Sequence, residues 1–250
     1  MNRTIVITGA TGKFGKVLVK YFLNSEDKVV ALGKSIKSLN QLKIKNKVKS
    51  GNLFLIRANL LDLKSIDRII KLIKIKKLKP DCLINNARNL KYLKLNKNGE
   101  VNSINFLNEF KLGVVSTYEL SIKLIKEFKS LKNIVNIGSI YGSRVPNINI
   151  SKKILKKSPI NYGVTKAALE HLTKELAVRF AKKNIRINCV AYGGVEGRAS
   201  MKFKKKYSSI CPSGRMLKES EIPGPIDFIF SKKTSGMTGH VIMVDGGWTL

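Results

Sequence analysis

Histidine, cysteine and carboxylate are all scarce in this chain of 250 residues, and each scarcity closes off a class of chemistry. His171 and His240 are the only histidines, too few to build a metal site or a Ser/His/Asp triad. Cys82, Cys189 and Cys211 are an odd number without C-x-x-C spacing, which argues against a disulfide framework or zinc knuckle and for three reduced structural thiols. No apolar run approaches the roughly 18–20 residues that cross a bilayer. The opening MNRTIVITGATG breaks into a glycine-rich turn where a signal peptide would continue, so a soluble, cytoplasmic protein without membrane contact is expected. Carboxylates number 16 against 48 Lys and Arg, a formal net charge of +32.

That excess has two readings. A basic field attracts phosphorylated or nucleic-acid partners, whereas a lysine-filled surface needs no partner at all. Of the 48 cations 39 are Lys, and their spacing favours the second reading. In Ser65–Pro80 the apolar Ile66, Ile69, Ile70 and Ile73 fall at i, i+3, i+4, i+7, with Lys71, Lys74 and Lys77 largely on the other side, as in a helix with one wet face. No RNP-type aromatics, zinc-finger pattern or Gly/Arg tail accompanies the lysines, so no specific nucleic-acid partner is expected. With 43% hydrophobic residues the chain buries a core, and its length suits one α/β domain over residues 1–250.

β-branched runs alternate with helical spacing. The pattern predicts strands at Thr4–Thr8, Lys28–Leu32, Leu53–Ala58 and Asp81–Asn85. Helices are predicted between them: Phe14, Val17, Leu18 and Tyr21 mark one face, and others fall around Ser35–Leu42 and over the lysine-faced stretch. A helix over 103–131, strands at Asn133–Ile137 and Arg186–Ala191, a helix over Tyr162–Ala181 and a last strand at His240–Val244 complete the series. Such alternation predicts a doubly wound parallel sheet with helices on both faces. Ser200–Glu221 lacks clean periodicity and reads as a mobile segment over a site, with residues 196–222 covering substrate.

Two motifs carry chemistry. Thr8, Gly9, Ala10, Thr11, Gly12, Lys13, Phe14 and Gly15 lie between the first strand and a helix, where glycines permit close backbone approach and free helix N–H groups meet a pyrophosphate. Tyr162 and Lys166 in YGVTK are four apart and share a helix face, while Ser139 ends a strand aimed at the same crevice. An ammonium beside a phenol favours the phenolate and brings it toward the range of an acid–base catalyst.

Taken together, TGATGKFG, Asn85-Asn86-Ala87, Ile137-Gly138-Ser139, YGVTK, Arg186-Ile187-Asn188, Gly193-Gly194-Val195, Thr238-Gly239 and Val244-Asp245-Gly246-Gly247 resemble the short-chain dehydrogenase/reductase family from residue 3 to the end. The resemblance implies a Rossmann-type sheet, a nicotinamide cofactor and a homodimer or homotetramer. It implies Tyr162 as general acid/base, Lys166 lowering its pKa and holding the nicotinamide ribose, and Ser139 holding the substrate oxygen. Asn85, Asn86 and Ala87 would line the adenosine ribose side, Asn59 with Leu60 the adenine, and Gly194 with Val195 the nicotinamide. The second strand runs into Gly33-Lys34-Ser35 without the carboxylate that binds a ribose 2′-hydroxyl, so Lys34 and Lys13 are expected to pair with a 2′-phosphate, favouring NADP(H) over NAD(H).

Departures are equally legible. Glycines at 9, 12 and 15 look more like the extended branch of the family. Arg88 follows Asn85-Asn86-Ala87 where the family has Gly, either reaching a substrate phosphate or lying exposed. Phe110 falls where a relay Asn is usual and cannot pass protons; Tyr192 replaces a Pro; Pro223 and Pro225 interrupt an expected helix. Tyr162 follows Ser139 by 23 positions, making 139–161 an insertion beside the site. This loop, SIYG, YGGV and DGGWT look similar to oxidoreductases grouped with flagellin modification and surface-sugar biosynthesis. That similarity implies a carbonyl or secondary alcohol on a phosphorylated or nucleotide-linked sugar, with Lys152, Lys153, Lys156, Lys157, Arg88 and Arg144 as anion contacts. Trp248 is expected at a subunit contact. The alternative function is a non-catalytic, nucleotide-sensing or partner-binding protein on the same scaffold.

Overall fold

Seven short apolar runs become the strands of one parallel sheet in the computed structural model, which describes residues 2–45, 51–150, 154–197 and 199–250. They are β1 (Thr4–Ile7), β2 (Lys28–Gly33), β3 (Leu53–Arg57), β4 (Cys82–Asn85), β5 (Asn133–Ser139), β6 (Arg186–Tyr192) and β7 (Val241–Val244). Their order is β3-β2-β1-β4-β5-β6-β7, so the winding reverses between β1 and β4 and opens a crevice at the carboxyl ends of the strands. The helices are α1 (Lys13–Asn24), α2 (Ile36–Lys45), α3 (Leu63–Ile75), α4 (Ser103–Phe110), α5 (Ser116–Glu127), α6 (Ile154–Lys157), α7 (Ile160–Phe180), α8 (Met201–Ser208) and α9 (Pro223–Phe230).

Strand alternation divides the core in two. Val6, Val30 and Leu83 face one way, toward α3, α5 and α7, and meet Ile66, Ile69, Leu120, Leu124 and Leu176. Their neighbours Ile5, Ile7, Val29 and Ile84 face the other way, toward α1 and α9, and meet Leu18, Phe22, Ile226 and Ile229. In α3 all four predicted isoleucines are buried, each contributing about 1.5–3 kcal/mol. Asp62 opens that helix by accepting from the Lys64 N–H at 3.1 Å.

Three expectations are corrected. The helix predicted over 103–131 is broken by a π turn at Lys111–Val115 and ends at Glu127. Gly113 lies in that turn because α7 comes so close that a Cβ there would stand 2.4 Å from Thr165 Cγ2. The stretch Ser200–Glu221 is not irregular throughout: Ser200 Oγ accepts from Phe203 N and starts α8, whose Tyr207 is buried against Met216 and Trp248. Pro223 and Pro225 begin α9 instead of interrupting it, since the first turn of a helix needs no N–H from them. Among the described residues no helix is long and apolar enough to cross a membrane.

Candidate functional site

The loop from β1 into α1 is shaped by backbone contact. Gly9 takes φ +62°, and a Cβ on it would lie 2.7 Å from Ala87 Cα; one on Gly15 would lie 2.2 Å from Gly9 O. Gly12 caps α1 without a side chain, and the first turn carries no acid, so the helix N-terminus keeps its N–H groups for an anion. Thr8 Oγ1 accepts from Asn86 N at 2.8 Å and Ala87 N at 2.9 Å, while Asn86 Nδ2 donates to Thr8 O at 2.9 Å. These bonds tie the first loop to the end of β4 and form the floor of the crevice.

Two cavities share that floor. One, of about 320 Å³, is lined by Gly9, Thr11, Gly12, Gly33, Lys34, Ala58, Asn59, Leu60 and Ala87 at the ends of β2 and β3. The other, of about 410 Å³, is lined by Gly12, Lys13, Phe14, Asn86, Ile137, Lys166, Gly193 and Val195. Arg88 lines both. An elongated ligand with a pyrophosphate at the Gly9–Gly12 junction fits this pair of lobes.

Of the second motif, Lys166 lines the inner lobe, while Tyr162 lines a neighbouring cavity with Tyr141, Arg144 and Pro159. Ser139, the last residue of β5, is buried, accepts from Tyr141 N at 3.3 Å and lowers the pKa of the Tyr162 phenol from the first turn of α7. Lys166, one turn on, is buried, donates to Ile137 O at 2.5 Å and holds its Nζ 5.8 Å from the Tyr162 ring centre. The Arg88 guanidinium lies 5.0 Å over the same ring. Burial alone raises the phenol, but the charges of Lys166 and Arg88 and hydrogen bonds to Ser139 and Arg88 outweigh it, leaving Tyr162 below the ordinary value of 10.0. A phenol so placed can give and recover a proton.

Several expected contacts are not there. Asn85 does not line the crevice: it is buried, with Nδ2 donating to Asn136 Oδ1 at 2.9 Å and Ser121 Oγ at 3.2 Å. Asn136 Nδ2 in turn donates to Thr173 Oγ1 at 2.9 Å, completing a polar ladder under the site. Lys13 does not join Lys34; its Nζ donates to the carbonyls of Val195 and Glu196 and lies 3.5 Å from Glu219, on the inner lobe. Exposed Arg144 donates from Nη2 and Nε to the Thr249 carbonyl at 2.9 and 3.3 Å, leaving Nη1 unengaged. Trp248, expected at a subunit contact that a single chain does not test, stacks on Tyr207 with ring centres 4.1 Å apart, and the Tyr207 hydroxyl accepts from Gly194 N at 2.9 Å. Tyr192, in place of Pro, donates to Ile222 O just before α9 and ties the stretch after β6 to that helix. Of the insertion's lysines, Lys156 and Lys157 are exposed, while Lys152 and Lys153 lie outside the described residues. Two groups were missed from the sequence altogether: Glu109, buried at the end of α4, and Arg88 as a neighbour of Tyr162.

A family model described as enoyl-(acyl carrier protein) reductase matches residues 14–249. The chain belongs to the short-chain dehydrogenase/reductase family. It is similar to post-translational flagellin modification protein A of Campylobacter coli, 29% identical over 100% of this chain and 99% of that one. A 3-oxoacyl-(acyl-carrier-protein) reductase of Buchnera aphidicola subsp. Schizaphis graminum is 30% identical, covering 98% of this chain and 97% of its own. Among solved structures, a short chain dehydrogenase from Leptospira borgpetersenii serovar Hardjo-bovis with bound NAD+ superposes with a TM-score of 0.86, at 28% identity over 100% of this chain and 94% of that one. As a short-chain dehydrogenase/reductase, the chain is an oxidoreductase built on a Rossmann sheet.

Proposed function

We propose that this short-chain dehydrogenase/reductase uses NADP(H) to interconvert a carbonyl and a secondary alcohol on a sugar-like metabolite, phosphorylated or nucleotide-linked. The observation that carries the reading is the Tyr162 phenol, held below its ordinary pKa by Lys166, Arg88 and Ser139, beside a two-lobed crevice floored by glycine backbone whose inner lobe Lys166 and Arg88 line. The nicotinamide, when bound, supplies or takes the hydride. Gly9, Gly12 and the N-terminus of α1 would hold its pyrophosphate; Asn59, Leu60 and Ala87 would line the adenosine end; Gly194 and Val195 would close over the nicotinamide. Ser139 orients the substrate oxygen, Tyr162 moves a proton to or from it, and Lys166 keeps the phenol acidic.

The choice of NADP(H) rests on Lys34, exposed at the end of β2 in the adenosine lobe, where no carboxylate opposes a 2′-phosphate. The flagellin-modification relative and the basic insertion support a sugar-like, anionic substrate. A cytoplasmic homodimer or homotetramer is part of the same reading. Titration with NADPH and NADH, followed by cofactor fluorescence and repeated with Lys34→Asp, tests it. NADPH should bind more tightly and the substitution should reverse the preference; tighter NADH binding by the native protein would refute the role of Lys34. Tyr162→Phe should bind cofactor yet lose turnover of keto-sugar phosphates. Cofactor binding without turnover of any carbonyl by the native protein would favour the nucleotide-sensing alternative.

A further inference from the structure

Lys13 is the first residue of α1, and its side chain lines the inner lobe of the crevice, not the adenosine lobe where a 2′-phosphate would sit. Across that lobe its Nζ donates to the carbonyls of Val195, at 3.2 Å, and Glu196, and lies 3.5 Å from Glu219 Oε1. A Lys ammonium has three N–H donors, and three acceptors of this chain already surround this one. The Glu219 carboxylate is half exposed, so that pairing alone is weak. The charge-assisted bonds to two backbone carbonyls, from a side chain only 18% exposed, are the stronger part.

The backbone that Lys13 meets is cross-tied in its own right. Val195 and Leu217 form an isolated parallel bridge, with Glu196 N donating to Leu217 O at 2.9 Å and Leu217 N to Gly194 O at 2.9 Å. Gly194 N donates in turn to the Tyr207 hydroxyl at 2.9 Å. Gly197 lets these pieces close on the ammonium: it takes φ +113°, and a Cβ on it would lie 2.6 Å from Glu219 Oε1 and 3.1 Å from Lys13 Nζ. The glycine loop at the start of α1, the stretch after β6 and the stretch before α9 therefore meet at one side chain. Gly193 and Val195 line the same inner lobe, so what Lys13 fixes is the wall of that lobe.

We propose that Lys13 is a positioning residue: it buckles the Gly194–Glu196 backbone to the start of α1 and so sets the wall against which the nicotinamide end of the cofactor is held. This rests on the reading of Gly194 and Val195 as that wall. The lysine that spacing assigned to a 2′-phosphate thus acts at the opposite end of the cofactor, through the backbone it holds and not as a phosphate ligand. Its donors are spent on the protein, and the pyrophosphate is left to the N–H groups of the glycine loop and the N-terminus of α1.

Amide hydrogen exchange of the cofactor-free protein tests the buckle without turnover. Lys13→Met should speed exchange at the Glu196 and Leu217 amides about tenfold or more and leave the amides of β1 and β4 at native rates. Gly197→Ala, which keeps the Lys13 charge, should speed the same two amides. Nucleotide binding then separates a wall from a phosphate contact. Lys13→Met should weaken NADPH about tenfold, whereas 2′-phospho-ADP-ribose, which has the pyrophosphate and 2′-phosphate but no nicotinamide, should bind with native affinity. Equal weakening of both nucleotides would make Lys13 a phosphate ligand and overturn the proposal. Unchanged exchange at Glu196 and Leu217 would overturn it at the buckle. Faster exchange with native NADPH affinity would overturn it at the parent reading, because a real buckle would then close nothing against the nicotinamide. Should Lys13→Met not fold, Gly197→Ala carries the same exchange and binding tests.

Discussion

Replacing Asn136 by Leu removes the middle rung of the ladder Asn85–Asn136–Thr173 while filling a similar volume. Asn136 is fully buried and makes two bonds of 2.9 Å, accepting from Asn85 and donating to Thr173. Each such bond contributes about 0.5–1.5 kcal/mol net, and a partner left wholly unpaired would add about 1–3 kcal/mol more. Neither partner is left so, because Asn85 Nδ2 still reaches Ser121 Oγ and Thr173 Oγ1 still donates to Leu169 O. The loss should therefore be about 2–3 kcal/mol, or roughly 5–10 °C in Tm for a chain of this size. Asn136→Ala should cost more, since it adds a cavity.

Urea unfolding followed by circular dichroism measures the loss as a shift in midpoint at unchanged slope. A double-mutant cycle with Thr173→Val should return a coupling of at least about 0.5 kcal/mol. The site should respond too: Asn136 precedes Ile137, whose carbonyl holds Lys166, so NADPH affinity should weaken along with stability. A loss below about 1 kcal/mol with no coupling to Thr173 would show that the ladder contributes nothing, and the argument from buried pairing would fall.

Lys166→Met should raise the Tyr162 pKa by removing the largest of the favourable charges, read as phenolate absorbance against a Tyr162→Phe baseline; an unmoved titration would refute the electrostatic account. Gly9→Ala should cost about 1–3 kcal/mol and abolish NADPH binding, because φ +62° and the 2.7 Å approach to Ala87 Cα exclude a Cβ; a calorimetric titration with native affinity would contradict this. Arg215→Ala should cost little stability, since its paired hydrogen bonds to Glu221 lie at the surface and are screened by solvent. The Arg215 guanidinium and the Lys218 N–H hold Glu221 down at about 2 from 4.5, so this small contribution is present above pH 4.5 and lost as pH falls toward 2. Native and variant midpoints should therefore converge in acid, and divergence there would reverse the sign.

Local chemistry was legible in the sequence because it needed only neighbours. The glycine turn, the isoleucine face of α3 and the i, i+4 pair of Tyr162 and Lys166 follow from spacing, and the sheet follows from their alternation. Asn85 shows where spacing runs out. Its place beside Asn86 suggested one shared surface, but Asn85 is the last residue of β4, paired in register with Asn136 of β5, while Asn86 lies beyond the strand and turns back to Thr8. That distinction depends on which strand lies next to β4, a pairing across 51 residues that no local pattern encodes. Glu109 and Arg88 are the same case with larger consequence. Spacing alone ties neither to the Tyr162 helix, and only the packing of α7 on α4 and the π turn, at the Gly113–Thr165 contact, brings Glu109 near Lys166 and Arg88 over the Tyr162 ring. Sequence spacing pairs Tyr162 with Lys166; topology decides which other charges gather around the lysine.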